Sequence, residues 1–592
     1  MNNPEIAELL RKMAASYQIL GRNTFSIIAY EKAADSIEHL TSEAKDFWDE
    51  GRLGDIPGLG QSIAGYLDEL FRTGRVRHFE EVMDKVPAAV FPLLNIPGLG
   101  PKKAYKLVTI LKLKQPDRVI RDVSQACTDG RIRDIDGFGV KSEAAILTGI
   151  GEYRRGQIKE NRMVLPVADA LAEELLTHLR RTPDVKHADA LGSLRRQVST
   201  IGDIDIAVST TKPQAVVNHF LKFPHRKVIE KGPTGASLLL TNGRQVDLRV
   251  QKPDTYGSML QYFTGSKHHN IALRNYALGR GYSLSEYGIK QVKTGNIHEF
   301  KDEESFYRAL GLPFIPPEIR EDRGEIDAAR NNRLPKLLEL PEIKGDLHTH
   351  SLYNLEPSHD LGSSSVAEYL KISENLGYEY IGFSDHNPSI STHTEKQIIA
   401  IMKKRKVYYE QQYSSYYRNK QKRVQMFIMC EADILTDGKV ALPAEAFRYI
   451  DAAVVSIHGS FRQPKDLMTS RVVRALTSHP KVRIFGHPTA RLLGRRESIE
   501  LDWKVIFGLC RQRDIALEIN AYPDRLDLPD LIVHEAVKAG VRLIIDTDSH
   551  QAQQMYLMKF GVSVARRGWA TGRDIANTLD YNTFAKWLVK GE

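Results

Sequence analysis

Apolar positions recur at different intervals in different parts of the 592-residue chain. Up to about residue 85 the spacing is helical: Ile6, Leu9, Leu10 and Met13, then Ile27, Tyr30, Ala34 and Ile37. Three glycine-bearing turns interrupt helical runs, at Asp55-Ile56-Pro57-Gly58-Leu59-Gly60, at Asn95-Ile96-Pro97-Gly98-Leu99-Gly100, and more loosely at Asp136-Gly137-Phe138-Gly139. From about 160 to 255 the period shortens to two. Ile204 and Ile206 alternate with Asp203 and Asp205, and Val246, Leu248 and Val250 alternate with Asp247 and Arg249, as in half-buried strands. Leu171, Leu175 and Leu179 mark a helix before them, and Asn242-Gly243 marks a hairpin between Ser237–Thr241 and Arg244–Val250. The stretch 319–341 is polar and mixed in charge, which predicts a linker. From Ile343 on, short β-rich runs alternate with helical ones, predicting a barrel or an open parallel sheet.

The chemistry follows those rhythms. Asp203 and Asp205 share one strand face, where they repel unless a hard cation lies between them; Mg²⁺ prefers such oxygen ligands. Gly192-Ser193, with Arg195 and Arg196 behind, offers N–H groups, a hydroxyl and guanidinium forks to a polyphosphate. Asp247 supplies a third carboxylate, enough for two metals and an in-line phosphoryl or nucleotidyl transfer. At each turn the glycines permit positive φ and leave the next helix's N–H groups free for a phosphate, with Lys102 and Lys103 adding charge beside the second. In the last third almost every β-run ends in a candidate ligand: His348, His350, His386, Glu431, His458, His487, Asp548 and His550. Polar groups at the C-terminal ends of parallel strands mark a barrel active site, and mixed imidazole and carboxylate donors suit Zn²⁺, Mn²⁺ or Fe²⁺ better than Mg²⁺. The basic, tyrosine-rich run 403–423 has two explanations, a base-stacking platform or a barrel helix burying its Tyr409, Tyr413, Tyr416 and Tyr417 face; helical spacing favours the second.

Composition narrows the class. With 83 Lys+Arg against 74 Asp+Glu the chain is at +9, which suits a polyanionic partner without proving one. Cys127, Cys430 and Cys510 show neither metal spacing nor a disulfide framework, as expected in a reducing cytoplasm. The N-terminus lacks a signal peptide's apolar core, and no apolar run is of membrane-spanning length. A soluble cytoplasmic protein of several domains is expected.

The ordered series Gly192-Ser193-x-Arg195-Arg196, Gly202-Asp203-x-Asp205, Val246-Asp247-Leu248-Arg249 and Tyr262-Phe263-Thr264-Gly265-Ser266 resembles the nucleotidyltransferase palm of family X DNA polymerases. The resemblance implies that Asp203, Asp205 and Asp247 are catalytic and hold Mg²⁺ or Mn²⁺. It implies that Gly192, Ser193 and Arg196 hold the triphosphate, that Tyr262, Phe263 and Gly265 meet the incoming sugar, and that Asn270 and Arg274 contact base and template. The three turns resemble helix-hairpin-helix motifs, implying DNA-backbone binding through Gly58, Gly60, Gly98, Gly100, Lys102 and Lys103. In the polymerase beta type, a lysine after the first hairpin also forms an imine with a 5′-deoxyribose phosphate. Here Tyr66 stands in its place and Ser62 replaces a phosphate-binding lysine, so 5′-phosphate binding without efficient lyase chemistry is expected.

The series H-x-H, S-D-H, E, H, G-H-P, D-x-H from residue 348 resembles the PHP (polymerase and histidinol phosphatase) domain, whose members bind up to three metals and hydrolyse phosphoesters. The family's ligand shortly after the first motif has no clear match; Glu356 is the nearest candidate, with His359 or Asp360 behind it. The expected fold class is multidomain α+β: helix-hairpin-helix N-terminal region, nucleotidyltransferase palm, and C-terminal α/β PHP barrel, TIM-like but distorted and seven-stranded. Expected boundaries are 1–85 and 86–155 for the hairpin regions, 156–255 for the palm, 256–318 for nucleotide selection, 319–341 for the linker and 342–592 for the PHP domain. Together the two resemblances imply a bacterial repair polymerase that fills gapped or nicked DNA from dNTPs as a monomer. Its Mn²⁺- or Zn²⁺-dependent PHP domain would be a 3′–5′ exonuclease, with endonuclease action at abasic sites left open. A non-templated nucleotidyltransferase and a DNA-binding scaffold with a merely structural barrel are the rivals; Asn270, Arg274 and the hairpins argue against the first, the ligand set against the second.

Overall fold

The computed structural model describes residues 3–38, 44–49, 51, 53–56, 59–96, 99–155, 162–421 and 423–589. The chain forms two compact units, Met1–Gln157 and Ile158–Glu592. The first is helical and holds two apolar cores, one running from Ile6 to Val82 and the other from Val86 to Ile150. Gly60 and Gly100 are the N-caps of the helices Gln61–Thr73 and Pro101–Ile110, and the helix Val140–Arg155 follows Gly139. Gly58 and Gly98 lie outside the described residues. Gly60 and Gly100 have ordinary negative φ, and a Cβ on either would meet nothing within 4 Å. They provide the open approach to a helix N-terminus that the sequence led one to expect, while the positive φ also expected at these turns is found at Gly137, at +77°.

The second unit begins with a palm sheet: β1 (His187–Ala190), β2 (Ile204–Ser209), β3 (Lys227–Lys231), β4 (Gly235–Leu239) and β5 (Gln245–Gln251), in spatial order β1-β2-β5-β4-β3. The Asn242-Gly243 turn, with Gly243 at φ +78°, sets Leu239 opposite Gln245. β2 and β5 run parallel with Asp205 opposite Asp247, so that Ile204, Ile206, Val246 and Leu248 bury the other face against the helix Leu165–Arg180. Beyond it, the helices Tyr256–Thr264 and Lys267–Leu278 lead to a small three-stranded sheet.

The barrel comprises β6 (Gly345–Thr349), β7 (Tyr380–Phe383), β8 (Gln425–Asp433), β9 (Ala452–Ser456), β10 (Val482–Phe485), β11 (Ala516–Asn520) and β12 (Leu543–Asp546), parallel and in sequence order. A parallel bridge between Thr349 and Ser549 and the bond from the His350 N–H to the Ser549 carbonyl close the ring. Leu347, Tyr380, Phe427, Met429, Val454, Ile484 and Ile544 fill its lower half, where Phe584, Trp587 and Leu588 of the C-terminal helix Tyr581–Leu588 pack against them. The three cysteines are free and buried. Among the described residues no helix is long and apolar enough to cross a membrane.

One sequence reading changes, and for the tyrosine-rich helix the reading that its spacing favoured holds. The stretch 319–341 is not a loose linker: Ile319, Arg320, Glu325, Ala329, Leu337 and Leu338 are buried and Glu325–Arg330 is helical. Its charges looked solvated because their partners are far away in sequence; Arg320 pairs with Glu303 at 2.6 Å, Glu325 with His269 at 2.6 Å and Arg323 with Asp530 at 3.0 Å. The tyrosine face of the helix Glu395–Tyr416 is turned inward rather than presented to bases: Tyr409 is buried and donates to Asp385 at 2.5 Å, and the Tyr413 hydroxyl donates to the Val424 carbonyl.

On that helix Arg405 is fully buried, with its guanidinium 2.8 Å from Asp385 and donating to the Phe383 and Met429 carbonyls. Removing one partner of a buried ion pair leaves the other charge stranded. Arg405→Met is expected to cost about 3–5 kcal/mol in urea unfolding of the full chain; a loss under about 1 kcal/mol, the range of an exposed pair, would contradict it.

Candidate active sites in the palm and the barrel

In the palm, the β2–β5 register sets Asp205 beside Asp247, with Asp203 two residues before Asp205. Burial raises the Asp205 pKa well above the usual carboxylate range; Asp203 and Asp247 push the same way, and the opposing charges of Arg249 and Arg196 do not cancel them. Gln245 donates to both Asp247 oxygens, at 3.1 and 3.0 Å. The Gly192 turn lies directly against this cluster. Gly192 has φ +57°, and a Cβ there would sit 2.6 Å from an Asp205 oxygen, so any other residue would be strained and obstructed. Ser193 follows at the start of the short helix Gly192–Arg195. Three crowded carboxylates suit hard divalent cations.

The arginines behind the turn are engaged within the protein. Arg195 bonds the Thr264 hydroxyl at 2.6 Å and Glu303 at 2.5 Å. Arg196 donates to the Thr264 carbonyl at 2.5 Å and to Glu321 at 3.0 Å. Tyr262 and Phe263 meet edge to face at 5.0 Å, and the Arg249 guanidinium lies 4.3 Å over the Phe263 ring. Gly265 ends that helix at φ +67°, and a Cβ there would come 3.1 Å from Arg196. Asn270 donates to the Tyr262 carbonyl at 2.7 Å and accepts from Gln261, and Arg274 lies half-buried further along the same helix.

In the barrel, Glu431 of β8 sits among imidazoles: His386 at 2.9 Å, His487 at 2.9 Å, His348 at 3.2 Å, His458 at 3.3 Å and His350 at 3.6 Å. Asp548 lies 3.2 Å from His350 and 3.7 Å from His348, and the His550 ring stacks on His350 at 4.2 Å. Burial works against the Glu431 charge, but His348, His386 and His458 hold its pKa well below normal. Burial likewise opposes a charge on His348, yet Glu518, Glu431 and Asp548 hold its pKa well up. Burial, with His550 and His386 nearby, pulls His350 down to about 3; burial and Arg525 pull His487 to about 4. His348 Nε2, both nitrogens of His350, His386 Nδ1 and Glu431 Oε2 are buried without a hydrogen bond. So many orphaned donor atoms facing one another fit metal ions as the missing partner.

Glu356 does not join them. Its backbone is left-handed at φ +53°, its carboxylate is 70% exposed, and it pairs instead with His393 at 3.0 Å. The same loop brings in His359, 3.0 Å from Asp433, while Asp360 lies 3.5 Å from His550 and 3.8 Å from His386. Asp433, His359 and His458 form one three-donor group. Asp433 was missed, although it repeats the i, i+2 pairing of His348 and His350 after Glu431. Glu518, which accepts from His348 Nδ1 at 2.6 Å, orients that ring from outside. In the helical unit, Tyr66 stacks on His78 at 4.9 Å, and His78 in turn meets the Tyr17 hydroxyl at 2.8 Å.

A helix-hairpin-helix domain model matches residues 1–76, and a DNA polymerase beta thumb model matches residues 259–321. The chain is 33% identical, over all of both chains, to the DNA polymerase/3′-5′ exonuclease PolX of Bacillus subtilis (strain 168). It belongs to the bacterial family X DNA polymerases that carry a PHP domain. It is also 23% identical to DNA polymerase lambda of Rattus norvegicus and 25% identical to that of Arabidopsis thaliana, in each case over 54% of this chain and 56% or 62% of the relative.

Two tests separate site from scaffold. A carboxylate whose pKa rises on folding costs stability above its unfolded pKa, and the cost grows until pH passes the folded value. Asp205→Asn should therefore melt about 1–3 °C above the wild-type polymerase in metal-free buffer at neutral pH, and Mg²⁺ should raise the melting point of the wild type alone. A lower melting point for Asp205→Asn would count against the like-charge strain. In the barrel, Glu356→Ala should keep the full metal complement by plasma mass spectrometry and Asp433→Ala should lose part of it; the reverse would restore Glu356 as the ligand.

Proposed function

We propose that this polymerase fills short gaps in duplex DNA from a template during repair, in the cytoplasm, and that its barrel removes nucleotides from the 3′ end. The observation that carries the first activity is the Asp205–Asp247 register beside the Gly192 turn. Asp203, Asp205 and Asp247 would hold Mg²⁺ or Mn²⁺, which would neutralise the triphosphate and acidify the primer 3′-hydroxyl. The Ser193 hydroxyl and the N–H groups of the turn would orient the phosphates, and Arg196 would add charge-assisted bonds. Tyr262, Phe263 and Gly265 would bound the sugar, leaving the base to Asn270 and the template to Arg274. Gly60, Gly100, Lys102 and Lys103 would hold DNA by its backbone, independently of sequence.

The second activity rests on the buried donor set around Glu431. His348, His350, His386, Glu431, His458, His487, Asp548 and His550, with His359 and Asp433, would hold Mn²⁺ or Zn²⁺, which would polarise the phosphodiester and supply an activated water. Neutral His350 and His487 keep lone pairs for that purpose, and Glu518 fixes the ring orientation of His348.

Primer extension on gapped DNA, scored together with 3′-end degradation, tests both assignments. Asp205→Ala should abolish synthesis and leave degradation intact. His348→Ala or Asp548→Ala should do the opposite. Wild-type degradation by both barrel variants would take the nuclease out of the barrel, and residual synthesis by Asp203→Ala/Asp205→Ala would take the polymerase out of this carboxylate cluster.

A further inference from the structure

The barrel helix Met558–Arg567 reaches the palm and the segment after it, and two of its side chains, Ser563 and Arg567, meet the nucleotide turn. Lys559 pairs with Asp169 at 2.6 Å, and Ser563 donates to the Gln197 side chain at 3.0 Å. Arg567, at the helix end, is 5% exposed and uses its fork fully: one nitrogen donates to the Arg196 carbonyl at 2.7 Å and to Glu321 at 3.0 Å, the other to Asp530 at 2.8 Å. Glu321 Oε1 is therefore shared by two guanidiniums, since Arg196 Nε reaches the same oxygen at 3.0 Å. Arg196 in turn lies close enough to Asp205 for its charge to be felt there.

This sharing matters when an anion arrives. A triphosphate that binds Arg196 competes with Glu321 for the same guanidinium. If Arg196 were the only partner, its departure would leave a partly buried carboxylate unpaired, which is strongly unfavourable. With Arg567 in place the carboxylate keeps a guanidinium partner, 3.0 Å away, after Arg196 turns to the anion. We propose that Arg567 of the barrel is a positioning residue for the polymerase reaction: it retains Glu321 so that Arg196 is released to the incoming nucleoside triphosphate. The barrel thereby tunes the nucleotide affinity of the palm through a contact that touches neither substrate nor metal. Asp530 does not depend on Arg567, because Arg323 also pairs with it at 3.0 Å.

The inference rests on the nucleotide-binding role proposed for Arg196, and the test separates the two. Single-nucleotide gap filling is measured in the full chain for Arg196→Ala, Arg567→Met, Glu321→Gln and Arg567→Met/Glu321→Gln, with Lys559→Ala as an interface control and 3′-end degradation as a folding control. Arg567→Met should raise the dNTP KM about tenfold with kcat within about twofold and degradation unchanged, the pattern of lost ground-state binding. The double variant should return KM to within about threefold of wild type, because without its charge residue 321 no longer restrains Arg196. Glu321→Gln alone should lower KM or leave it unchanged, and this variant decides the matter if Arg567→Met does not fold. Lys559→Ala should leave KM unchanged. A KM unaffected by Arg567→Met but raised by Arg196→Ala overturns the inference alone, as does a KM raised by Glu321→Gln, a double variant no better than Arg567→Met, or an equal effect of Lys559→Ala. An unchanged KM in Arg196→Ala removes the nucleotide role and the inference with it.

Discussion

Repulsion between carboxylates held closer than they would choose underlies this molecule. The parallel register of β2 and β5 leaves Asp205 and Asp247 side by side, and the apolar alternation that buries Ile204, Ile206, Val246 and Leu248 does not let either strand slip to relieve it. Neighbouring arginines soften the strain without cancelling it. What remains is an affinity for cations built into the fold before any ligand arrives. The barrel reaches the same end by another route. There one carboxylate, Glu431, is crowded by imidazoles whose own protonation is pulled in opposite directions, His348 upward and His350 and His487 downward.

Much of this was legible along the chain because both sites lie on regular periods. A period of two puts Asp203 and Asp205 on one face, and barrel strands that end in His, Asp or Glu announce a common rim. The parts that were not legible depend on irregular backbone or distant pairing. Glu356 stands where a ligand is due, yet a single left-handed residue turns it towards His393, and nothing in its neighbours foretells that. Of the two uses the sequence suggests for the turn glycines, Gly60 and Gly100 show open space before a helix, and Gly137 shows the positive φ. The charged run after Pro317 looked like solvent-facing linker because local sequence cannot show that Arg320, Arg323 and Glu325 have partners at Glu303, Asp530 and His269.

That same run changes how the two activities relate. Glu318 and Glu321 meet Arg566 and Arg567 of the barrel, and one continuous set of buried side chains includes both palm residues such as Ile206 and barrel residues such as Val564. The donor sets of the two metal-fitting clusters are separate, because neither borrows a residue from the other. Folding is less so. A substitution in the helix Met558–Arg567 lies outside both clusters and still touches the nucleotide turn.

The C-terminal helix has a consequence for traffic through the barrel. Phe584 stacks on Tyr380 at 4.4 Å, and with Trp587 and Leu588 it stoppers the end of the barrel opposite the Glu431 cluster. The barrel is a cup, not a tube. The Glu431 cluster is therefore reached only from the rim where the strands end.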